Sequence, residues 1–487
     1  MAGGSWTDLH PAIVDRPGQY QLDFRVHERG DGRFHYPYKC HDDDPWCPFV
    51  PTPDAAMKPP TFEAAAHPLV VCSLALASMS LCGEAVRADG PPGFVPQQPL
   101  ADGSTTLGGY IDTSIMWSAT APRDAGSVAP FPNSLRMPGR LYDTPARMNG
   151  FNLNVVSLEL DRRPPEESSW GVGYHVQTLF GPDVALRGAY SLAAGSSQTT
   201  GLSSAHIIVK APAGNGLEFQ LGYFTSPLGY EVYDSYLNPN YSHSYGYFIE
   251  PKAHTGLTAK YDLTEHVSLL GGVANSYSAF IDAPLTHRAA SKTYLAVAKF
   301  DAGSFWRKDA TLSLGYTGGN TATSAATDVF PRIHNFHAGA DLPLGLPGLG
   351  LGLAYDYQAN FAAGVPAVFL FPPGPMSSYA NATAAYLKYD HGKWQLRGRG
   401  EYATATAGNT ILAPRGALGS SRPMFGPNDD KFVALTGTAG YRIWENVVSR
   451  FEVRWDRDVA GGVPVFGTAA HPLKNSVTVG VNLVYRF

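Results

Sequence analysis

From Asn475 to Phe487 the chain alternates without a break. Val477, Val479, Val481, Leu483, Tyr485 and Phe487 share one face, and Thr478, Gly480, Asn482, Val484 and Arg486 share the other. A period of two with a single apolar face defines a β-strand that meets something oily on one side and a mostly polar medium on the other. The oily side faces either a protein core or lipid. Everything upstream bears on that choice.

Placed at the C-terminus and closing on Tyr485-Arg486-Phe487, the pattern resembles the last strand of bacterial outer-membrane barrels, whose final aromatic residue is read during barrel assembly. Tyr485 and Phe487 are the candidate assembly signal. Charged residues make up 16% of the chain and no apolar run approaches the length of a membrane helix, about 18 residues. A barrel hides its hydropathy by alternation, so a mean hydropathy of -0.14 does not argue for a soluble protein.

Alternating segments predict strands near 107–118, 151–161, 170–180, 204–211, 216–225, 252–262, 266–276, 291–301, 309–318, 331–341, 347–358, 378–390, 392–404, 431–443, 446–457 and 474–487. Short connections (Leu263–Glu265, His391, Trp444-Glu445) alternate with long ones (Ala119–Gly150, Ser226–Pro251, Ala359–Ser377, Ala405–Asp430) all along the chain. A sandwich has no reason to sort its connections by parity. The expected fold is therefore all-β: a transmembrane antiparallel up-and-down barrel of about 16 strands (range 14–18), with short periplasmic turns, long extracellular loops and both termini in the periplasm. Of the long loops, Ala119–Gly150, Ser226–Pro251 and Ala405–Asp430 are each long enough to narrow the mouth, and the sequence does not say which does.

The first hundred residues read differently. Leu69–Leu81 is an apolar run of signal-peptide length followed by Ala85-Val86-Arg87-Ala88, with small residues where a signal peptidase inspects. Met57-Lys58 offers a natural start. The expected organisation is an upstream extension or disordered leader over 1–56, a signal peptide over 57–88, a flexible lead-in over 89–106 and the barrel over 107–487. Cys40, Cys47, Cys72 and Cys82 all precede the expected cleavage after Ala88. Beyond it lie 29 of the 36 basic and 30 of the 41 acidic residues, a near-neutral balance with no basic stripe for nucleic acid.

No catalytic constellation or metal centre is expected. His334 and His337 lie three apart in a strand and face opposite sides. Gly348, Gly350 and Gly352 are spaced strictly by two inside a strand, which is wrong for a nucleotide loop. With Ala354 they form a small-residue face that leaves lumen space or lets a loop pack on the wall. The charged faces must point into a wet lumen, since Arg or Lys at the bilayer midplane costs about 2–4 kcal/mol. The pore-lining candidates are Asp112, Glu159, Glu218, Arg397, Arg399, Glu401, Arg442, Arg450, Glu452 and Arg454. Their basic cluster on the last strands suggests a mild anion preference. The plainer alternative is that Arg and Glu pair across strands and stabilise the wall.

These residues bring the chain close to a known family. Gly108-Gly109-Tyr110-Ile111-Asp112-Thr113-Ser114, Phe151-Asn152-Leu153-Asn154 with Leu158-Glu159-Leu160, Leu179-Phe180-Gly181-Pro182-Asp183, Leu221 to Glu231, and His254-Thr255-Gly256 resemble the OmpL-like β-barrel porin family over about 107–487. The resemblance implies an outer-membrane channel with no cofactor and no established catalytic residues to carry over. The function it implies is passive diffusion of small hydrophilic solutes and ions. The partners it implies are outer-membrane lipid, the barrel-assembly machinery and a homotrimer. A non-conducting surface or adhesive barrel is the competing expectation.

Overall fold

The computed structural model describes residues 105–119, 149–165, 170–186, 200–277, 292–303, 309–320, 332–365, 374–406, 430–461 and 472–487, with residue pairs 27–28, 34–35, 98–99, 190–191 and 466–467. The expectations for 1–56, 57–88 and most of 89–106 lie outside the described residues, as do most of the connections Ala119–Gly150 and Ala405–Asp430. Met1–Leu76 forms a unit of its own, described only by the antiparallel pair His27–Glu28 and Phe34–His35.

Sixteen long strands build the rest: β1 (Thr106–Ser118), β2 (Gly150–Arg162), β3 (Gly171–Phe180), β4 (Thr200–Ala211), β5 (Leu217–Thr225), β6 (Ala253–Thr264), β7 (Val267–Ala274) and β8 (Thr293–Asp301). They continue as β9 (Thr311–Asn320), β10 (Arg332–Pro343), β11 (Leu349–Val365), β12 (Gly374–His391), β13 (Trp394–Ala405), β14 (Asp430–Trp444), β15 (Val447–Asp458) and β16 (Asn475–Arg486). Each pairs antiparallel with its chain neighbours, and β16 pairs with β1 from Thr478↔Ser118 to Arg486↔Tyr110, so the sheet closes. Closure removes every edge, which is what lets a sheet stand in lipid. The terminal residue completes the seam: Phe487 N donates to Gly109 O at 3.1 Å, and Gly109 N donates to Phe487 O at 3.0 Å.

All sixteen expected strands are present. The largest shifts are that β4 starts at Thr200 rather than 204, β11 runs to Val365 rather than 358, and β12 starts at Gly374 rather than 378. Periodicity fades there because the β11–β12 hairpin continues past the alternating stretch. The short turns have local causes: Gly392, at φ 58, closes β12 onto β13, and Thr264 Oγ1 accepts from Val267 N at 2.9 Å between β6 and β7.

The two faces separate as the alternation requires. Trp117, Phe151, Leu153, Leu221, Leu396, Leu435 and Phe451 point outward and are exposed, a cover that only an apolar medium accommodates. Trp394, Tyr441 and Tyr485, aromatic residues near strand ends, are also exposed, whereas Tyr223 is buried, next to Gly222 at φ 140. The inward side chains of β13–β15 include Arg399, Glu401, Thr436, Thr438, Arg450, Glu452, Arg454 and Asp456, these eight all buried. Something fills the lumen beside them.

Candidate functional site: the segment inside the barrel

The filler is the connection 226–252 between β5 and β6. Its two ends meet where Gly229, at φ 117, leaves no room for a Cβ against the Glu250 carboxylate. Near its C-terminal end is one helical turn, α1 (Tyr245–Ile249), whose N-cap Ser244 accepts from Tyr247 N at 3.2 Å. Residues 241–247 are all buried. They read Tyr-Ser-His-Ser-Tyr-Gly-Tyr, side chains that carry hydrogen-bonding groups and suit burial against a polar wall better than aliphatics would.

The wall grips the segment by its backbone. Glu452 on β15 accepts from Tyr241 N at 2.6 Å, from Ser242 N at 2.9 Å and from Thr438 Oγ1 at 2.6 Å. Glu401 on β13 accepts from Tyr245 N at 2.7 Å. Arg399 donates to Ser242 O at 2.6 Å and to His243 O at 3.2 Å, and Arg454 donates to His243 O at 2.6 Å. Asn240 Nδ2 donates to Thr438 Oγ1 at 2.7 Å. These are mostly charge-assisted bonds, stronger than neutral ones, and they offset part of the cost of taking the charges out of water.

The charges also match one another. Arg399 meets Glu401 at 2.6 Å and Glu231 of the segment at 3.1 Å, and Arg454 meets Asp456 at 2.9 Å. Glu231 is held by Tyr386 (2.9 Å), Ser244 N (2.9 Å) and His243 Nδ1 (3.0 Å). Burial alone would raise the Glu231 carboxyl, but Arg399, His243 and the Ser244 amide overcome it and hold it down at about 2.

The small-residue face of β11 receives the other end of the segment. Tyr230 stacks on Tyr386 with ring centroids 4.5 Å apart and donates to Asp341 at 2.8 Å, lying where a Cβ on Gly352 would overlap its hydroxyl. Gly246 of α1 leaves the same kind of space for Asp356, and Asn335 Nδ2 donates to Ile249 O at 3.0 Å. Of the two alternatives read for this face, lumen space or loop packing, the structure has the loop.

The sequence-derived candidates fall into two groups. Arg399, Glu401, Arg450, Glu452 and Arg454 face inward but lie under the segment, and Asp112 is buried between Asn154 (3.0 Å) and Asn482 (3.3 Å). Glu159, Glu218, Arg397 and Arg442 face inward and are half-buried; Glu218 stands opposite Lys210 and Lys260, and Arg397 pairs with Asp390 at 2.7 Å. Sequence reasoning missed Glu231, Asn240 and His243, since a connection has no period to betray which side chains turn inward.

Among the described residues, two groups of side chains have metal-ligand proximity, each with ligand atoms within 4.8 Å of one another: Glu250–His337–Asp356 and Glu159–Asp161–His175. In the first, His337 Nδ1 is 2.6 Å from Asp356, and burial followed by the Asp356 charge raises the Glu250 carboxyl. As read from the spacing, His334 faces the other way, bonding Tyr316 at 2.8 Å.

A closed barrel of sixteen strands, apolar outside and polar inside, with the connection after its fifth strand folded into the lumen, defines an outer-membrane channel of the porin class. The chain belongs to the family described as "Putative beta-barrel porin-2, OmpL-like", whose model matches residues 104–487. Among solved structures it is similar to an anion-selective porin from Comamonas acidovorans (12% identity, 79% of this chain and 99% of that one, TM-score 0.49). It is also similar to OmpT of Vibrio cholerae (11%, 80% and 100%, TM-score 0.48) and to the outer membrane channel DcaP of Acinetobacter baumannii (12%, 79% and 97%, TM-score 0.47). No curated protein matches the chain. It is an outer-membrane porin, as the alternation and the family motifs led one to expect.

Proposed function

We propose that this porin passes small hydrophilic solutes and ions by diffusion, with the 226–252 segment setting the narrowest part of the path. The observation that supports this reading is the row of buried wall charges, Arg399, Glu401, Glu452 and Arg454, spent on the backbone of one segment. In this reading those four, with Arg450 and Asp112, hold the constriction, while Glu159, Glu218, Arg397 and Arg442 meet the passing solute. Conductance of the refolded protein in a planar bilayer tests it. Absence of channels, together with liposomes that take up no solute, would favour an adhesive or structural barrel.

Three further elements belong to the same proposal. Cleavage after Ala88 is tested by N-terminal sequencing of the exported chain. Assembly as a homotrimer is tested by cross-linking in membranes. Tyr485 and Phe487 address the barrel to the assembly machinery: deletion of Phe487 lowers the yield in the outer membrane far more than the yield of detergent refolding. No catalytic step is proposed.

A further inference from the structure

We propose that Glu159, Asp161, His175 and His206 form a binding site for one divalent transition-metal ion on the lumen wall near the periplasmic end. The backbone register brings these residues together. Asp161 on β2 is the cross-strand partner of His175 on β3, which is in turn the partner of His206 on β4, and all three point into the lumen. Glu159 lies two residues before Asp161 on the same face. His175 Nδ1 lies 3.0 Å from Asp161 Oδ1 and 3.5 Å from Glu159 Oε1, and the three ligand atoms lie within 4.8 Å of one another.

His206 supplies the independent observation. Its ring stands 5.3 Å from that of His175, centroid to centroid, and its Nδ1 is buried with no hydrogen-bond partner among the described residues. A neutral imidazole binds a metal through either ring nitrogen, and an unpartnered one facing the cluster is available for it. A buried lone pair with nothing to accept is otherwise a cost.

The donor set selects the ion. Two imidazoles and two carboxylates suit Zn²⁺ and its first-row neighbours, whereas Ca²⁺ takes six to eight oxygens. Two carboxylates with two neutral imidazoles balance a divalent charge, and Arg163 at 2.9 Å from Asp161 steadies that carboxylate from outside. The ion can arrive from the lumen, because the Glu159 and His175 side chains keep 21% and 16% of their surface exposed. Binding displaces any proton on His175 or His206 and closes a bridge across β2, β3 and β4. The leader's Cys40 and Cys47 lie far outside this group in sequence and stay constant across the variants below.

The test is Zn²⁺ titration of the untagged, detergent-purified full chain, read by calorimetry and by metal content after desalting, with unheated gel mobility checking that each variant is folded. One ion per barrel is expected, with affinity falling at least about a hundredfold in His175→Ala and in Asp161→Asn. His206→Ala is expected to weaken binding about tenfold or more, and His266→Ala, outside the site, to leave it unchanged. No binding by the folded wild type up to 100-fold molar excess of Zn²⁺, or binding that survives His175→Ala undiminished, overturns the site. Binding that is lost in His175→Ala but unchanged in His206→Ala overturns the four-ligand assignment. None of these readouts depends on conductance, so the site can fail while the channel stands, and the reverse.

Discussion

Glu452, on the fifteenth strand, accepts hydrogen bonds from two successive backbone amides of the inserted segment, Tyr241 N at 2.6 Å and Ser242 N at 2.9 Å. One wall carboxylate thus does for the segment what a cap does for a helix. Glu452→Ala leaves both amides and Thr438 without that acceptor, at a cost of about 2–4 kcal/mol. The expected result is a lower urea midpoint for the refolded barrel, and larger, noisier single-channel currents as the segment loosens. Unchanged conductance would mean the segment does not set the path.

The Asn240–Thr438 contact, 2.7 Å between side-chain atoms, offers a lock. All four native cysteines lie before the barrel, so Asn240→Cys with Thr438→Cys places a clean pair there. Oxidation is expected to leave the mean conductance within about 20% of the reduced protein while suppressing fluctuations, because it fixes a position the segment already holds. A large fall on oxidation would show that the segment normally spends time elsewhere.

Acid should loosen the segment only late. The Glu231 carboxyl is held at about 2 against an ordinary 4.5 by Arg399, His243 and the Ser244 amide, in spite of burial. A depressed folded value means that its stabilisation is fully present above about 4.5 and is lost as pH falls through about 2. The gap in urea midpoint between wild type and Glu231→Gln should therefore be constant above pH 5, narrow below 4.5 and close near 2.

Ion selectivity is expected to run against the reading of the sequence. Of the arginines that suggested an anion preference, Arg399 and Arg454 are matched by Glu231, Glu401 and Asp456 and lie buried, out of reach of passing ions. In two of the pairs that remain in the lumen the carboxylate is the more exposed partner: 49% for Asp390 against 11% for Arg397, and 35% for Asp341 against 25% for Lys388. A weak cation preference follows, reduced in Asp390→Asn, and a reversal potential in a salt gradient measures it. A wild-type potential on the anion side would refute it.

Alternation along the chain was enough to set the strands, their count, the greasy exterior and the wet wall, because a period of two and the parity of connection lengths are local properties that each segment carries alone. The inward turn of Arg399, Glu401, Glu452 and Arg454 was legible for the same reason. What covers them was not. Three connections were long enough to enter the barrel, and the choice of 226–252 depends on Glu231 and Asn240 meeting side chains about 170 to 200 residues away, and on glycines at 352 and 246 leaving room. Likewise, His175 and His206 are 31 positions apart in sequence and become neighbours only through strand register. Periodicity says which way a side chain points; only closure of the sheet says what it finds there, since contacts across a barrel are made between residues that share no local pattern.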